Sequence, residues 1–103
     1  MTVDADHTLQ VVIDVDRNVL RGSGIPVSTY VTWWLGLREA PTSRTFTWQG
    51  RSIVVRRNIG GASLSSLREV ADELGATPGC QLAVTLNRDD NAASVALRPD
   101  DGQ

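Results

Sequence analysis

The chain has 103 residues, a length that suits one domain with a modest hydrophobic core. Its single cysteine excludes an internal disulfide and a thiolate metal cluster. The longest apolar-leaning stretch, residues 25–37, is too short to span a bilayer, and no signal-peptide pattern precedes it. The composition therefore predicts a cytoplasmic protein with no membrane span.

The formal net charge of −2 conceals an uneven distribution of charge. All ten basic residues are arginines, and residues 17–68 contain eight of them with one acidic residue, Glu39, which leaves +7 on this segment. A GC-rich genome would account for arginine in place of lysine, but not for the clustering. Separated charge creates a local positive field, and the planar guanidinium group can donate two parallel hydrogen bonds to phosphate or guanine. The segment therefore favours a nucleic-acid partner.

Alternating apolar residues predict a mostly β chain. The five strands that they predict run through residues 9–15, 46–48, 53–55, 82–86 and 95–97. Gln49-Gly50 is predicted to be a hairpin turn, as is the polar segment 87–91. Residues 1–8 and 99–103 are expected to be flexible tails, so that residues 9–98 form a single domain.

The first of two short helices is predicted after a flexible break at residues 21–24. It spans about residues 27–35, where Pro26 favours a helix start although the β-branched residues would also suit a strand. Its predicted buried side chains are Val27, Val31, Trp34 and Leu35. Trp33 would then point away from the core, which leaves three interpretations open: a dimer or partner interface, core packing in another register, or base stacking.

The second helix is predicted over residues 64–74, where apolar residues recur at helical spacing. Ser66 and Glu69 have the spacing of a capping box, and Gly75 stands where the C-terminus of a helix favours a left-handed residue. The predicted fold is therefore mostly β and β-barrel-like, with two short helices.

The sequence partly overlays itself when it is shifted by about forty residues. Residues 15–19 then face residues 55–59, and each copy reads as a strand, a helix and a strand pair. The two predicted pseudo-repeats cover about residues 9–57 and 51–98. Strand 51–57 matches both copies, so either it is shared between them or one register is wrong. Two such fused units would bury each other's apolar faces within one chain.

The second copy resembles the AbrB-like (SpoVT/AbrB) swapped-hairpin family. The residues that carry this resemblance are Leu67-Arg68-Glu69-Val70, then Leu74-Gly75-Ala76-Thr77-Pro78-Gly79, then alternating apolar residues up to Leu97-Arg98. The first copy is similar at Ile25-Pro26 and Leu35-Gly36-Leu37. The resemblance implies a swapped-hairpin or double-psi-like barrel, usually formed by two chains, that binds DNA in transcriptional regulation or as an antitoxin.

The resemblance also assigns candidate DNA contacts by position. The arginines that correspond to the family's DNA-contacting residues are Arg17, Arg21, Arg56, Arg57 and Arg68. The alternative is a protein–protein interaction module or a homodimer that uses Trp33 at its interface and binds no DNA. An enzyme, a metal and a cofactor are not expected, because the only histidine, His7, has no evident partner in the sequence.

Overall fold

The structure, a computed structural model, describes residues 2–4, 7–22 and 24–98, and it is mostly β as predicted. Within these ranges the strands are β1 Thr2–Asp4, β2 Thr8–Asp14, β3 Ile25–Val27, β4 Thr42–Trp48, β5 Arg51–Asn58, β6 Gly61–Ser65, β7 Gln81–Asn87 and β8 Ala92–Arg98. The helices are α1 Arg17–Arg21, α2 Thr29–Trp34 and α3 Arg68–Leu74. The predicted tail at residues 99–103 lies outside the described residues.

The strands form one sheet that curls into a half-barrel, in the order β1-β2-β7-β8-β4-β5-β6-β3. Two antiparallel halves of four strands meet between β8 and β4. That seam consists of a single parallel register pair, Thr47 with Ala92, and the Thr47 amide donates to the Asn91 carbonyl oxygen at 2.9 Å. The curled sheet agrees with the predicted β-barrel-like class.

One hydrophobic core fills the concave side of the sheet. Since successive side chains of a strand point to opposite faces, every second residue is buried. The strand residues in the core include Leu9, Val11, Ile13, Phe46, Trp48, Ile53, Val55, Leu64, Leu82, Val84 and Leu86. The helices add Val19, Val31, Trp34, Val70 and Ala71.

Both predicted hairpins are present. In the β4–β5 hairpin, Gln49 and Gly50 have φ values of 48° and 78°, as the tight turn between twisted strands requires. In the β7–β8 hairpin the Asp90 carboxylate accepts from the Ala92 amide at 3.0 Å. These two turns set the register of the strand pairs that they join.

The second helix is shorter than predicted. It begins at Arg68 rather than near Leu64, because residues 61–65 form β6, which is paired with β5 on one side and β3 on the other. The predicted capping box is wrong: the N-cap is Leu67 without a side-chain cap, and Ser66 has a φ of 66°. Gly75 does end the helix in the left-handed region, at a φ of 68°.

The first predicted helix divides into a strand and a helix. Pro26 lies in the edge strand β3 opposite Ser63, where its missing N–H is tolerated. The helix starts one residue after Ser28, whose Oγ accepts from the Tyr30 amide at 3.2 Å. Val27 is consequently half-buried in β3, whereas Val31, Trp34 and Leu35 are buried as predicted.

Helix α1 was not predicted, and it ends at Arg21, the first residue of the predicted flexible break. The Asp16 carboxylate caps it by accepting from the amides of Asn18 and Val19 at 2.9 and 3.1 Å. Gly22 ends it at a φ of 83°. An N-cap aspartate six residues before a glycine was therefore a signal for a short helix.

The predicted amino-terminal tail is also more structured than expected where it is described. Thr2–Asp4 forms β1 and pairs with β2, which itself begins at Thr8. The His7 carbonyl accepts from the Arg88 amide at 3.0 Å, and His7 Nδ1 lies 2.5 Å from Asp89 Oδ2. His7 thus has the partner that the sequence did not reveal.

Strand β5 pairs with two neighbours, which bears on the predicted repeat. It forms the β4–β5 hairpin with one edge and pairs with β6 through the other. It therefore pairs with one strand from each predicted unit. In the predicted repeat β2 corresponds to β5, and β7 corresponds to β4. The pairing of β2 with β7 is then the counterpart of the pairing of β5 with β4, and the duplication itself stays a prediction.

Candidate nucleic-acid interface

Three arginines donate hydrogen bonds to backbone carbonyls at the end of α2. The last carbonyls of a helix lack partners within it, and cations are favourable there. The guanidinium groups of Arg88, Arg44 and Arg57 donate to the carbonyl oxygens of Trp34, Leu35 and Leu37 at 3.2, 3.3 and 2.8 Å respectively. These bonds connect the helix to β4, β5 and the β7–β8 turn.

Aromatic rings hold two of these arginines in place. The Arg88 guanidinium lies 4.6 Å from the centroid of the Trp34 ring, and that of Arg44 lies 5.3 Å from the Phe46 ring. Arg44 Nε also donates to Asn91 Oδ1 at 2.6 Å, and its Nη2 donates to the Arg88 carbonyl. Both arginines have structural partners, so they contribute little to an exposed positive surface.

The carboxyl-terminal end of β5 carries a small polar pocket. It has a volume of about 170 Å³, and the residues that line it are Pro41, Thr42, Ser43, Arg56, Arg57 and Asn58. Arg57 uses one guanidinium nitrogen on the Leu37 carbonyl and keeps further donors, because a guanidinium has five N–H groups. The pocket is the right kind of site for a phosphate group, since two guanidinium groups, hydroxyls and an amide border it.

Arg56 and Arg57 reach this pocket from opposite faces of β5. Arg56 is exposed on the convex face, and its Nε lies 3.4 Å from Ser65 Oγ. Arg57 is half-buried on the concave side. The two predicted contacts therefore border one pocket although they do not share a face.

The other three predicted contacts lie near the opposite end of β5. Helices α1 and α3 pack against each other, and a Cβ placed on Gly22 would lie 3.6 Å from the Arg68 Cβ, so Arg21 and Arg68 are neighbours. Arg17 precedes Arg21 by one helical turn on α1. Within the described residues, none of these three arginines has a hydrogen bond or an ion pair to another side chain.

Acidic side chains of α3 accompany Arg68 in this second group. A cavity of about 370 Å³ beside Arg68 is also lined by Arg51 and Glu69, and Arg51 Nη2 lies 3.1 Å from Glu73 Oε2. Asp72 and Glu73 line the adjoining cavity. The structure thus divides the predicted contacts into two groups, separated by about 20 Å along β5 at about 3.3 Å per residue.

Helix α2 exposes an aromatic pair. Trp33 is 66% exposed and Tyr30 is 38% exposed, with ring centroids 5.4 Å apart and ring planes inclined at 34°. The neighbouring Trp34 is only 7% exposed. The predicted outward orientation of Trp33 is confirmed, so core packing is excluded as its role.

Sequence reasoning missed the polar residues between the arginines. Ser43 and Asn58 line the pocket with Arg56, and Ser63 lies opposite Arg56 in the neighbouring strand. Alternation in residues 43–47 and 52–56 was a usable signal, because the residues between the buried ones in these strands are mainly serine and threonine.

Among the described residues there is neither a metal-binding cluster nor a membrane-spanning helix. No group of three or more histidine, cysteine, aspartate or glutamate side chains in these ranges could hold a metal ion. None of the described helices has the length and apolar character needed to cross a membrane.

Comparisons with known proteins add no relative. No family model, curated protein or solved structure matches this chain. The resemblance to AbrB-like domains therefore depends on the sequence motifs alone.

Proposed function

We propose that this chain is a small DNA-binding protein that grips the phosphate backbone through the arginines at the carboxyl-terminal end of β5. Arg56 and Arg57 would donate to phosphate oxygens, with Ser43 and Asn58 as uncharged donors beside them. A role in transcriptional regulation or as an antitoxin-like factor is what the AbrB-like resemblance implies. The proposal includes no chemistry on the DNA.

The observation that carries the proposal is the absence of acid from one half of the sheet. Strands β3, β4, β5 and β6 contain four arginines and no aspartate or glutamate. Their convex face carries Arg56, Val54 and Pro26, and most of its other side chains bear hydroxyl groups, which donate readily to phosphate and sugar oxygens. The hydroxyl-bearing side chains of this face are Ser43, Thr45, Thr47, Ser52, Ser63 and Ser65.

The net charge of −2 does not oppose this proposal. At physiological ionic strength the screening length is about 8 Å, so a phosphate senses mainly the charges beside it. The acidic side chains of α3 lie near the other end of β5, about 20 Å away at strand spacing. Glu39 stands two residues before Pro41 of the pocket, next to the opposite charge of Arg38, so a backbone segment at the pocket would meet mainly the charges of Arg56 and Arg57.

The test is the salt dependence of duplex binding. Fluorescence anisotropy of a labelled random-sequence duplex, measured between about 50 and 200 mM salt, gives the slope of log affinity against log salt. We expect the wild type to bind at low salt. Since each neutralised phosphate contributes about 0.9 to this slope, we expect Arg56→Ala to bind more weakly with a slope that is shallower by about that amount.

Arg98→Ala is the matched control. Arg98 is an exposed arginine on β8, in the other half of the sheet, and its removal changes the net charge equally. We expect its affinity and slope to match those of the wild type. An equal loss in both variants, or no binding of any DNA at low salt, would contradict the proposal.

A second candidate function is favoured by the exposed aromatic pair of α2. A protein–protein interaction module, including a homodimer, would bury Trp33 and Tyr30 at its interface, since aromatic residues are enriched at such contacts. Sedimentation equilibrium over a range of concentrations tests self-association. A mass that rises with concentration in the wild type and not in Trp33→Ala would support this candidate.

A further inference from the structure

Two cavities adjoin at Asn58 at the end of the sheet. Asn58 lines both the 170 Å³ arginine pocket and a wider cavity of about 580 Å³. The wider cavity runs from the β5–β6 turn to the edge strand β3 and the start of α2. Its lining residues are Gly24, Pro26, Val27, Thr29, Asn58, Gly60, Gly61, Ala62 and Ser63. We call the two together the β5-end groove.

The charged side chains that line the described part of the β5-end groove are all positive. Its described lining includes two arginines and no aspartate or glutamate. The glycines at residues 60 and 61 leave open space in the groove, because a Cβ built at either position would meet nothing within 4 Å. The groove therefore offers a polyanion both room and counter-charge.

The exposed aromatic pair stands beside this groove. Thr29 lines the wider cavity, and Trp33 lies one helical turn after Thr29 on the same face of α2. Tyr30 stacks against Trp33. On the turn that borders the groove, Ile59 is 90% exposed. A ligand lying in the groove with its phosphates on Arg56 and Arg57 would thus have an aromatic face within reach of its other groups.

We propose that the β5-end groove binds a segment of single-stranded DNA, with unpaired bases stacked on Trp33 and Tyr30. This inference rests on the proposed function and specifies its ligand. Bases in a duplex present only their edges, whereas an unpaired base has a free face for an aromatic side chain. An arginine-lined backbone path beside exposed aromatic rings is the arrangement by which proteins hold single strands without reading a sequence.

The experiment compares single-stranded and duplex probes. Labelled oligothymidylate and the same strand annealed to oligoadenylate are titrated by anisotropy at one low salt concentration. We expect tighter binding of the single strand. Stacking supports about 5- to 150-fold in affinity per base, so we expect Trp33→Ala to lose a factor in that range on the single strand and Trp33→Phe to lose less.

Ile59→Ala is the matched control, because it removes an exposed apolar side chain without removing a π face. We expect it to bind the single strand as the wild type does. An equal loss in Ile59→Ala and Trp33→Ala would overturn the stacking and point to general apolar contact, such as a protein partner would make.

Intrinsic fluorescence gives an independent readout in the unmodified protein. Trp34 and Trp48 are buried and Trp33 is exposed, so quenching by an added strand reports on Trp33. We expect oligothymidylate to quench the exposed component, and this quenching to be absent in Trp33→Phe. Equal binding of both probes without quenching would overturn this inference and leave the proposed function standing. If neither the single strand nor the duplex is bound, both this inference and the proposed function are wrong.

Discussion

Strand β5 carries arginines at both ends, and the two ends differ in what surrounds them. At the first end Arg51 lies 3.1 Å from the Glu73 carboxylate, with Glu69 lining the same cavity. At the second end Arg56 and Arg57 border a pocket whose described lining holds no acid. The same residue type on one strand thus serves an ion pair at one end and offers free donors at the other. Neighbours, and not the count of arginines, decide which end can take a phosphate.

The buried residues in the middle of β5 should contribute most to the stability of the whole fold. Ile53 is fully buried between the two ends, so we expect Ile53→Ala to lower the free energy of unfolding by about 2–5 kcal/mol. Urea denaturation measures this change. The adjacent Ser52→Ala lies on the exposed face and is expected to stay within about 0.5 kcal/mol of the wild type. Equal losses would show that β5 does not divide the molecule into core and surface as described.

Replacing the two arginines of the second end should change the free energy of unfolding by different amounts. Arg57→Ala leaves the Leu37 carbonyl without its donor, and we expect a loss of about 1–3 kcal/mol in urea denaturation. Arg56→Ala removes only a long contact to Ser65 from an exposed face, so we expect a change within about 0.5 kcal/mol. A large loss in both variants would mean that Arg56 is also structural.

The turns at the two ends of β5 should differ in their tolerance of a side chain. Gly50 has a φ of 78°, where an L-residue is strained by about 1–2 kcal/mol, so Gly50→Ala should destabilise the protein by that amount. Gly60 does not lie in the left-handed region and has open space around its Cα. We expect Gly60→Ala to be neutral in thermal denaturation, and a matching loss there would contradict the difference.

The smallest effect belongs to the ion pair at the first end. Arg51 and Glu73 side chains are 33% and 47% exposed, so solvent screens their attraction. We expect Glu73→Gln to cost about 0.2–1 kcal/mol at low salt and less at high salt. Urea denaturation at two ionic strengths measures it. A loss that does not shrink with added salt would mean that the glutamate acts through something other than its charge.

The sequence predicted the fold well where the local residue pattern indicated the same element that strand pairing forms. The β4–β5 and β7–β8 hairpins are present because alternation and turn residues coincide there. The start of the second helix was misplaced because Leu64 fits both a helical face and the buried face of β6, and pairing with β5 decides between them. Only the tertiary partners of residues 61–65 could have revealed that strand.

The candidate site was predictable only in part, for a similar reason. Alternation along β5 already separates Arg56 from Arg57, and exposure of Trp33 followed from the helical spacing. Arg88 bonds the end of α2 from 54 positions away and Arg44 bonds Asn91 from 47 positions away, and no local pattern distinguishes these arginines from Arg56. Their structural role depends on the fold as a whole.

The seam between β4 and β8 gives the curled sheet a natural line of opening. A single parallel register pair, Thr47 with Ala92, joins the halves there, whereas the neighbouring antiparallel pairs β4–β5 and β7–β8 have full ladders. Arg44 spans this line from β4 to Asn91, so a side chain supplies part of the cohesion that backbone bonds supply elsewhere. Amide exchange along the line should accordingly be governed by a local separation of the two halves, at a lower free energy than global unfolding.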